Sequence, residues 1–273
     1  MNTNLNERVS VNNDVDTHQY ERAEQASLFQ GPSKLKKSHH KADLEITNRD
    51  IEIIEFLIEM KFASAGEVFS KFFKITRNGE TACSTEWAKK RLKQLEKHKF
   101  IKSVYSFSDS TRFFVATLKG YYALSALCPE KEICKPVGGF DIRTFAHDRR
   151  VLDARIFLEQ KESISGWLSE RKLKSTPRLC QGLSSQYIPD AIYKTKNGES
   201  VAFELEIAAK AKSRYRDKIQ RYLSLLRSQK VDKPFERVEY VCAKEGVFNL
   251  LKQETKIYGD LFSVKRLDEY FAS

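Results

Sequence analysis

Three carboxylates stand close together in the chain: Asp190, Glu204 and Glu206. Asp190 follows a proline in the run Tyr-Ile-Pro-Asp-Ala-Ile-Tyr (187–193), and the two glutamates lie in Val-Ala-Phe-Glu-Leu-Glu-Ile (201–207). Acids brought that close cannot all stay charged without a cation beside them. A hard divalent ion held by oxygen ligands is the natural partner. Immediately downstream come Lys210, Lys212, Arg214, Arg216, Lys218 and Arg221. Acids for a metal beside cations for phosphate is the combination that phosphodiester chemistry needs.

The elements that must position these groups follow from the pattern. Asn197-Gly198 between two alternating runs predicts a β-hairpin. Side chains alternate along a strand, so Val201, Phe203, Leu205 and Ile207 fall on one face and Ala202, Glu204 and Glu206 on the other. Asp190 is expected in the middle of the first strand. The hairpin then gathers all three carboxylates, and a basic helix with Tyr215, Ile219, Tyr222 and Leu226 spaced to pack follows it.

Around this hairpin the expected order is a helix from about Thr144 to Gln160, a strand at 164–171, a polar loop at 172–186, the hairpin and the basic helix. A strand at Val238–Cys242, a helix from Val247 to Gln253, a strand at Leu261–Val264 and a short terminal helix complete it. Near the start of the first helix stand His147, Asp148 and Asp153; His147 is open to a role as a base, as a further ligand, or as a structural histidine of the core helix, the commonest role for a lone histidine there.

Upstream, the first helix carries Ile51, Ile54, Leu57 and Ile58 after a cap at Thr47 or Asn48. A short helix follows, with Ala65, Val68, Phe69 and Phe72. After a loop at Asn78-Gly79 a third helix runs from about Ser84 to Lys97, with Leu92, Leu95 and either Trp87 or Ala88 facing in. Lys89, Lys90, Arg91 and Lys93 occupy its remaining surface. Val104–Phe107 and Arg112–Thr117 form a hairpin, and a last helix carries Tyr121, Tyr122, Leu124 and Leu127. Three helices and a two-stranded hairpin is the order of a winged helix-turn-helix, whose third helix enters the major groove while the hairpin meets the backbone. The expected DNA contacts are Lys89, Lys90, Arg91, Lys93 and Arg112 here, with Arg214 and Lys218 on the later basic helix.

The fold expected is therefore α+β with an α/β part, in two domains. Residues 1–43, polar and without periodicity, read as a disordered tail; 44–127 are the winged helix and 144–273 a mixed sheet flanked by helices. Residues 128–143, with Cys-Pro-Glu-Lys-Glu and Lys-Pro-Val-Gly-Gly, are the linker. The chain of 273 residues carries a formal charge of +11. That charge is local: residues 84–119 hold nine Lys/Arg against three Asp/Glu, and 208–233 nine against two. An anionic partner, nucleic acid before membrane, is expected from that charge. Five cysteines without Cys-x-x-Cys spacing fit reduced thiols in a cytoplasm better than disulfides or zinc. No apolar run approaches the ~20 residues of a membrane helix, so no membrane partner is expected.

Two resemblances sharpen these expectations. Arg-Leu-Lys-Gln-Leu-Glu-Lys-His-Lys-Phe-Ile (91–101) with Phe-Val-Ala-Thr-Leu-Lys-Gly (114–120) resembles the corresponding run of bacterial winged helices. Pro189-Asp190 with Glu204-Leu205-Glu206 resembles the restriction-endonuclease-like PD-(D/E)xK core, with Glu206 where a lysine is usual. Taken with His147 and Trp167-x-Ser169-Glu170, the chain from about residue 45 onward is similar to the replication-relaxation family, and most to plasmid mobilization relaxases of the MOBC class. That resemblance implies Mg²⁺ or Mn²⁺ on Asp190, Glu204 and Glu206, nicking of one strand at a transfer origin, and an accessory mobilization or coupling protein. Lys210 or Lys212 would reach in for the missing lysine. The family also holds members that only bind DNA, which leaves a catalytically inactive protein of replication control or transcription as the alternative.

Overall fold

The computed structural model describes residues 44–75, 79, 81–82, 84–107, 110–228 and 233–272, which belong to one compact unit spanning Leu44–Ser273. The tail at 1–43 and Asn78 of the expected loop lie outside the described residues.

The first half builds a small helical layer on a three-stranded sheet. Helix α1 (Asn48–Met60) opens with a capping box: the Thr47 hydroxyl accepts from the Asp50 amide, and the Asp50 carboxylate accepts from Thr47 N at 2.8 Å. Strand β1 (Ala63–Ser64) leads into α2 (Ala65–Phe72), which opens with a second box of Ser64 and Glu67. Helix α3 (Glu86–Lys97) buries Ala88, Leu92 and Leu95. The hairpin of β2 (Ile101–Tyr105) and β3 (Arg112–Ala116) follows, in an antiparallel sheet of order β1-β3-β2. The expected strand at Val104–Phe107 thus begins earlier, because Ile101 pairs with Ala116.

Helix α4 (Leu118–Leu127) is capped by Thr117 and buries Leu124, while Tyr122 and Leu127 are exposed. Gly120 is required at its start: a Cβ there would lie 2.3 Å from the Phe100 carbonyl oxygen.

The second half is a five-stranded mixed sheet. Helix α5 (Phe145–Phe157) winds on through a π turn at Leu158–Glu162 to β4 (Ser165–Ser169). The expected polar loop begins as a short helix, α6 (Glu170–Ser175), capped by Ser169. Strands β5 (Ala191–Lys194) and β6 (Ser200–Glu206) form the hairpin, with Gly198 at φ 85° in its turn, a conformation glycine adopts without strain. Helix α7 (Lys212–Leu226) crosses to β7 (Arg237–Cys242), and α8 (Glu245–Thr255) to β8 (Phe262–Arg266); α9 (Leu267–Tyr270) closes the chain. Strand order is β4-β5-β6-β7-β8, with β4, β5 and β6 antiparallel and β6, β7 and β8 parallel.

Alternation along β6 fixes the two cores. Val201, Phe203 and Leu205 pack with Val151 and Leu152 of α5, in a cluster continuous with Ile54, Leu57 and Phe113 of the first half. Ala202 packs on the other face under Tyr215, Ile219 and Tyr222 of α7. Both faces being covered, β6 is buried from Val201 to Glu206.

Residues 128–143 contain no helix or strand. Phe140 within them packs 4.6 Å from Phe145 and 5.5 Å from Phe62, centroid to centroid. Ion pairs add to this junction: Arg155 donates to buried Glu59 at 2.8 Å, and half-buried Lys61 to Asp148 at 2.7 Å. Among the described residues no helix is long and apolar enough to cross a membrane.

Candidate functional site

Asp190 lies one residue before β5, not within it, and is 16% exposed. Its Oδ2 accepts from the Leu205 amide of β6 at 2.8 Å. His147 Nε2 lies 3.2 Å from the same oxygen and 3.1 Å from the Leu205 carbonyl oxygen. Facing two acceptors, Nε2 must carry a proton. Burial works against a charged imidazole here, but hydrogen bonds and charges from Asp148 and Asp190 outweigh it and raise His147 to about 10. In this arrangement His147 is the charge partner of Asp190. Burial alone would raise Asp190; the His147 bond overcomes it and the carboxyl is lowered.

Glu204 and Glu206, each 1% exposed, project under α7. Glu204 Oε2 accepts from Lys218 Nζ at 2.6 Å, and Oε1 accepts from the Tyr222 hydroxyl. Burial pushes Glu204 up to about 7, with Asp190 adding to the rise and Lys218 opposing it. Glu206 accepts from Lys210 Nζ at 2.9 Å and from the Tyr215 hydroxyl at 3.3 Å. In the register that pairs Ala191 with Phe203, Asp190 comes next to Glu204. The sheet therefore draws the three acids to one end of the β5–β6 pair, and each has a cation of the chain itself: His147, Lys218 and Lys210.

Of the two lysines expected to reach in, Lys210 does and Lys212 does not; Lys212 pairs with Glu254 at 3.2 Å. Lys218, expected on DNA, is instead 16% exposed and pressed on Glu204. Its signal was present in the sequence: it stands between Tyr215 and Tyr222 and beside Ile219, on the packing stripe of α7. Arg214 of the same helix is exposed.

Oxygen donors of this kind suit a hard divalent ion. Both oxygens of Glu204 and of Glu206 are engaged by ammonium and phenol groups. Among the described residues, no three His, Cys, Asp or Glu side chains stand close enough to share one ion as they are now arranged. Asp190 and His147 line a cleft of about 30 Å³, room for one water-sized group, together with Lys61, Asp148 and Glu170.

On α3, Lys89, Lys90 and Lys93 are exposed, and Arg112 of β3 is exposed beside Glu96. Arg91 departs from its expected place on DNA. Its Nε donates to Asp50 Oδ1 at 2.7 Å, a second nitrogen bonds Asp50 Oδ2, and the same group reaches the Glu45 carbonyl at 2.9 Å. It ties α3 to the start of α1. Trp87 is 70% exposed, and Ala88 takes the core position.

Comparison with known protein families, curated proteins and solved structures finds no match for this chain.

Proposed function

We propose that the chain is a plasmid mobilization relaxase of the replication-relaxation type, which binds DNA and nicks one strand at a transfer origin. In this reading α1 to α4 with β1 to β3 are a winged helix-turn-helix, and the mixed sheet is a restriction-endonuclease-like core. The observation that carries it is the meeting of Asp190, Glu204 and Lys218 from the start of β5, from β6 and from α7. Two acids and a lysine are what the PD-(D/E)xK pattern assembles, and Lys218 supplies from a helix the lysine absent at Glu206.

In this reading Asp190, Glu204 and Glu206 would hold Mg²⁺ or Mn²⁺ only on release from their present ammonium and phenol partners, and the ion when bound would polarise a phosphate oxygen and lower the pKa of a bound water. The chain's own groups orient and balance charge. His147 holds Asp190 against the Leu205 main chain. Lys218, raised by Glu204 and Asp190 over the opposing effect of burial, keeps a positive charge where phosphate charge would develop. Exposed Lys89, Lys90, Lys93, Arg112 and Arg214 supply phosphate contacts. An accessory mobilization or coupling protein and a cytoplasmic setting belong to the same reading.

Burial favours a second reading. Glu204 and Glu206 are 1% exposed and already matched by ammonium groups, so their charge is balanced without a metal. On that reading the chain binds DNA without cutting it, in replication control or transcription. Supercoiled plasmid incubated with the protein separates the two: open circles with Mg²⁺ or Mn²⁺ and none with EDTA support the relaxase. DNA binding with no open circles under any metal supports the second reading.

A further inference from the structure

Trp87, at the second position of α3, leaves 70% of its surface in water. The core needs nothing from it, because Ala88, Leu92 and Leu95 supply the buried stripe. Lys90 Nζ stands 5.8 Å from the centre of its ring, and Lys89 and Lys93 flank it. Together with Glu86 these side chains line a groove of about 470 Å³. Glu86 does not leave the groove acidic, since Lys89 pairs with it at 2.8 Å. A broad aromatic face bordered by surplus ammonium groups is complementary to an anion that carries a flat ring.

We propose that this groove seats an unpaired nucleotide of single-stranded DNA, with its base stacked on the Trp87 indole and its phosphate met by Lys90 and Lys93. Within a duplex both faces of every base are covered by its neighbours, so an indole can meet only edges there. A base released from the stack offers the face that Trp87 lacks. The seat rests on the DNA-binding reading above and gives it a finer content: α3 holds the unpaired strand, not the duplex groove alone.

The full chain carries its own probe. Its two tryptophans are Trp87 and Trp167, and Trp167 is 6% exposed, stacked on Tyr193. Indole emission is titrated with oligothymidylate, with an abasic strand of equal length and with a duplex, and affinity is measured in parallel by anisotropy. Oligothymidylate is expected to quench the emission, the abasic strand not to quench it, and the duplex to quench it less. Trp87→Ala should weaken single-strand binding about tenfold. Trp87→Phe, which keeps a ring, should lose less, and its remaining Trp167 emission should not respond. Circular dichroism checks that both variants fold. Binding of DNA with no quenching, equal quenching by abasic strand or duplex, or unchanged affinity of Trp87→Ala overturns the seat and leaves the DNA-binding reading standing. Failure of every oligonucleotide to bind removes both.

Discussion

Replacing Lys218 by Met keeps the aliphatic stem and deletes the ammonium that faces Glu204 at 2.6 Å. The cost depends on whether Glu204 is ionised. In the native chain its carboxyl, raised to about 7, is mostly protonated at pH 6. There the variant loses little more than one hydrogen bond, about 1 kcal/mol. Without Lys218, which opposes the rise, the folded pKa moves higher still. A carboxyl whose folded pKa lies above its unfolded value near 4.5 loses stability as pH climbs toward the folded pKa. The native chain stops losing near pH 7, whereas the variant continues at about 1.4 kcal/mol per pH unit. At pH 9 its deficit should approach about 4 kcal/mol, within the range for an orphaned buried charge. Urea denaturation of both proteins at pH 6 and pH 9 measures this. Adding Glu204→Gln to Lys218→Met should remove most of the pH 9 deficit. An equal deficit at both pH values, or one below about 0.5 kcal/mol at pH 9, would refute the pairing.

Other expectations follow from the same geometry. His147→Gln should cost about 2 kcal/mol at pH 6, a figure reduced from the full shift because the ring is 29% exposed. The folded pKa of His147, about 10, lies above the ordinary 6.5, so its contribution is complete below 6.5 and lost as pH rises through 10. The gap between variant and native chain should therefore close across that window, and a gap constant in pH would remove the imidazolium from the site. Arg91→Ala strands Asp50, which is 1% exposed, and should cost about 3 kcal/mol, or roughly 6–12 °C in melting temperature. The combined change of Lys89, Lys90 and Lys93 to Ala should leave melting unchanged, weaken DNA binding and lower its salt slope by up to about 2.7. An unaltered slope would take this face of α3 off the DNA.

Strand alternation was legible from the outset. It put Glu204 and Glu206 on one face of β6, and Asn197-Gly198 folded β5 back on it. Asp190 was misplaced by one residue, since the strand starts only after it. The partners of the acids were harder to read, because they depend on how α7 is rotated over the sheet. Local sequence brings Lys210 close to Glu206 and made Lys212 look equally near; packing of Tyr215, Ile219 and Tyr222 turned Lys218 inward instead. In α3, the spacing of Ala88, Leu92 and Leu95 fits a helical stripe, and Trp87 is off it by one position. Nothing local in residues 128–143 announced that Phe140 would pack edge-on against Phe62, because that contact exists only once the chain folds back on its first half.

The central claim is that Asp190 and Glu204 do chemistry on DNA. Asp190→Ala and Glu204→Ala should each abolish nicking of supercoiled plasmid in Mg²⁺ or Mn²⁺ while DNA binding by anisotropy stays within about twofold of the native chain. Full metal-dependent nicking by Asp190→Ala would contradict the account and leave the acids as charge-paired members of the fold.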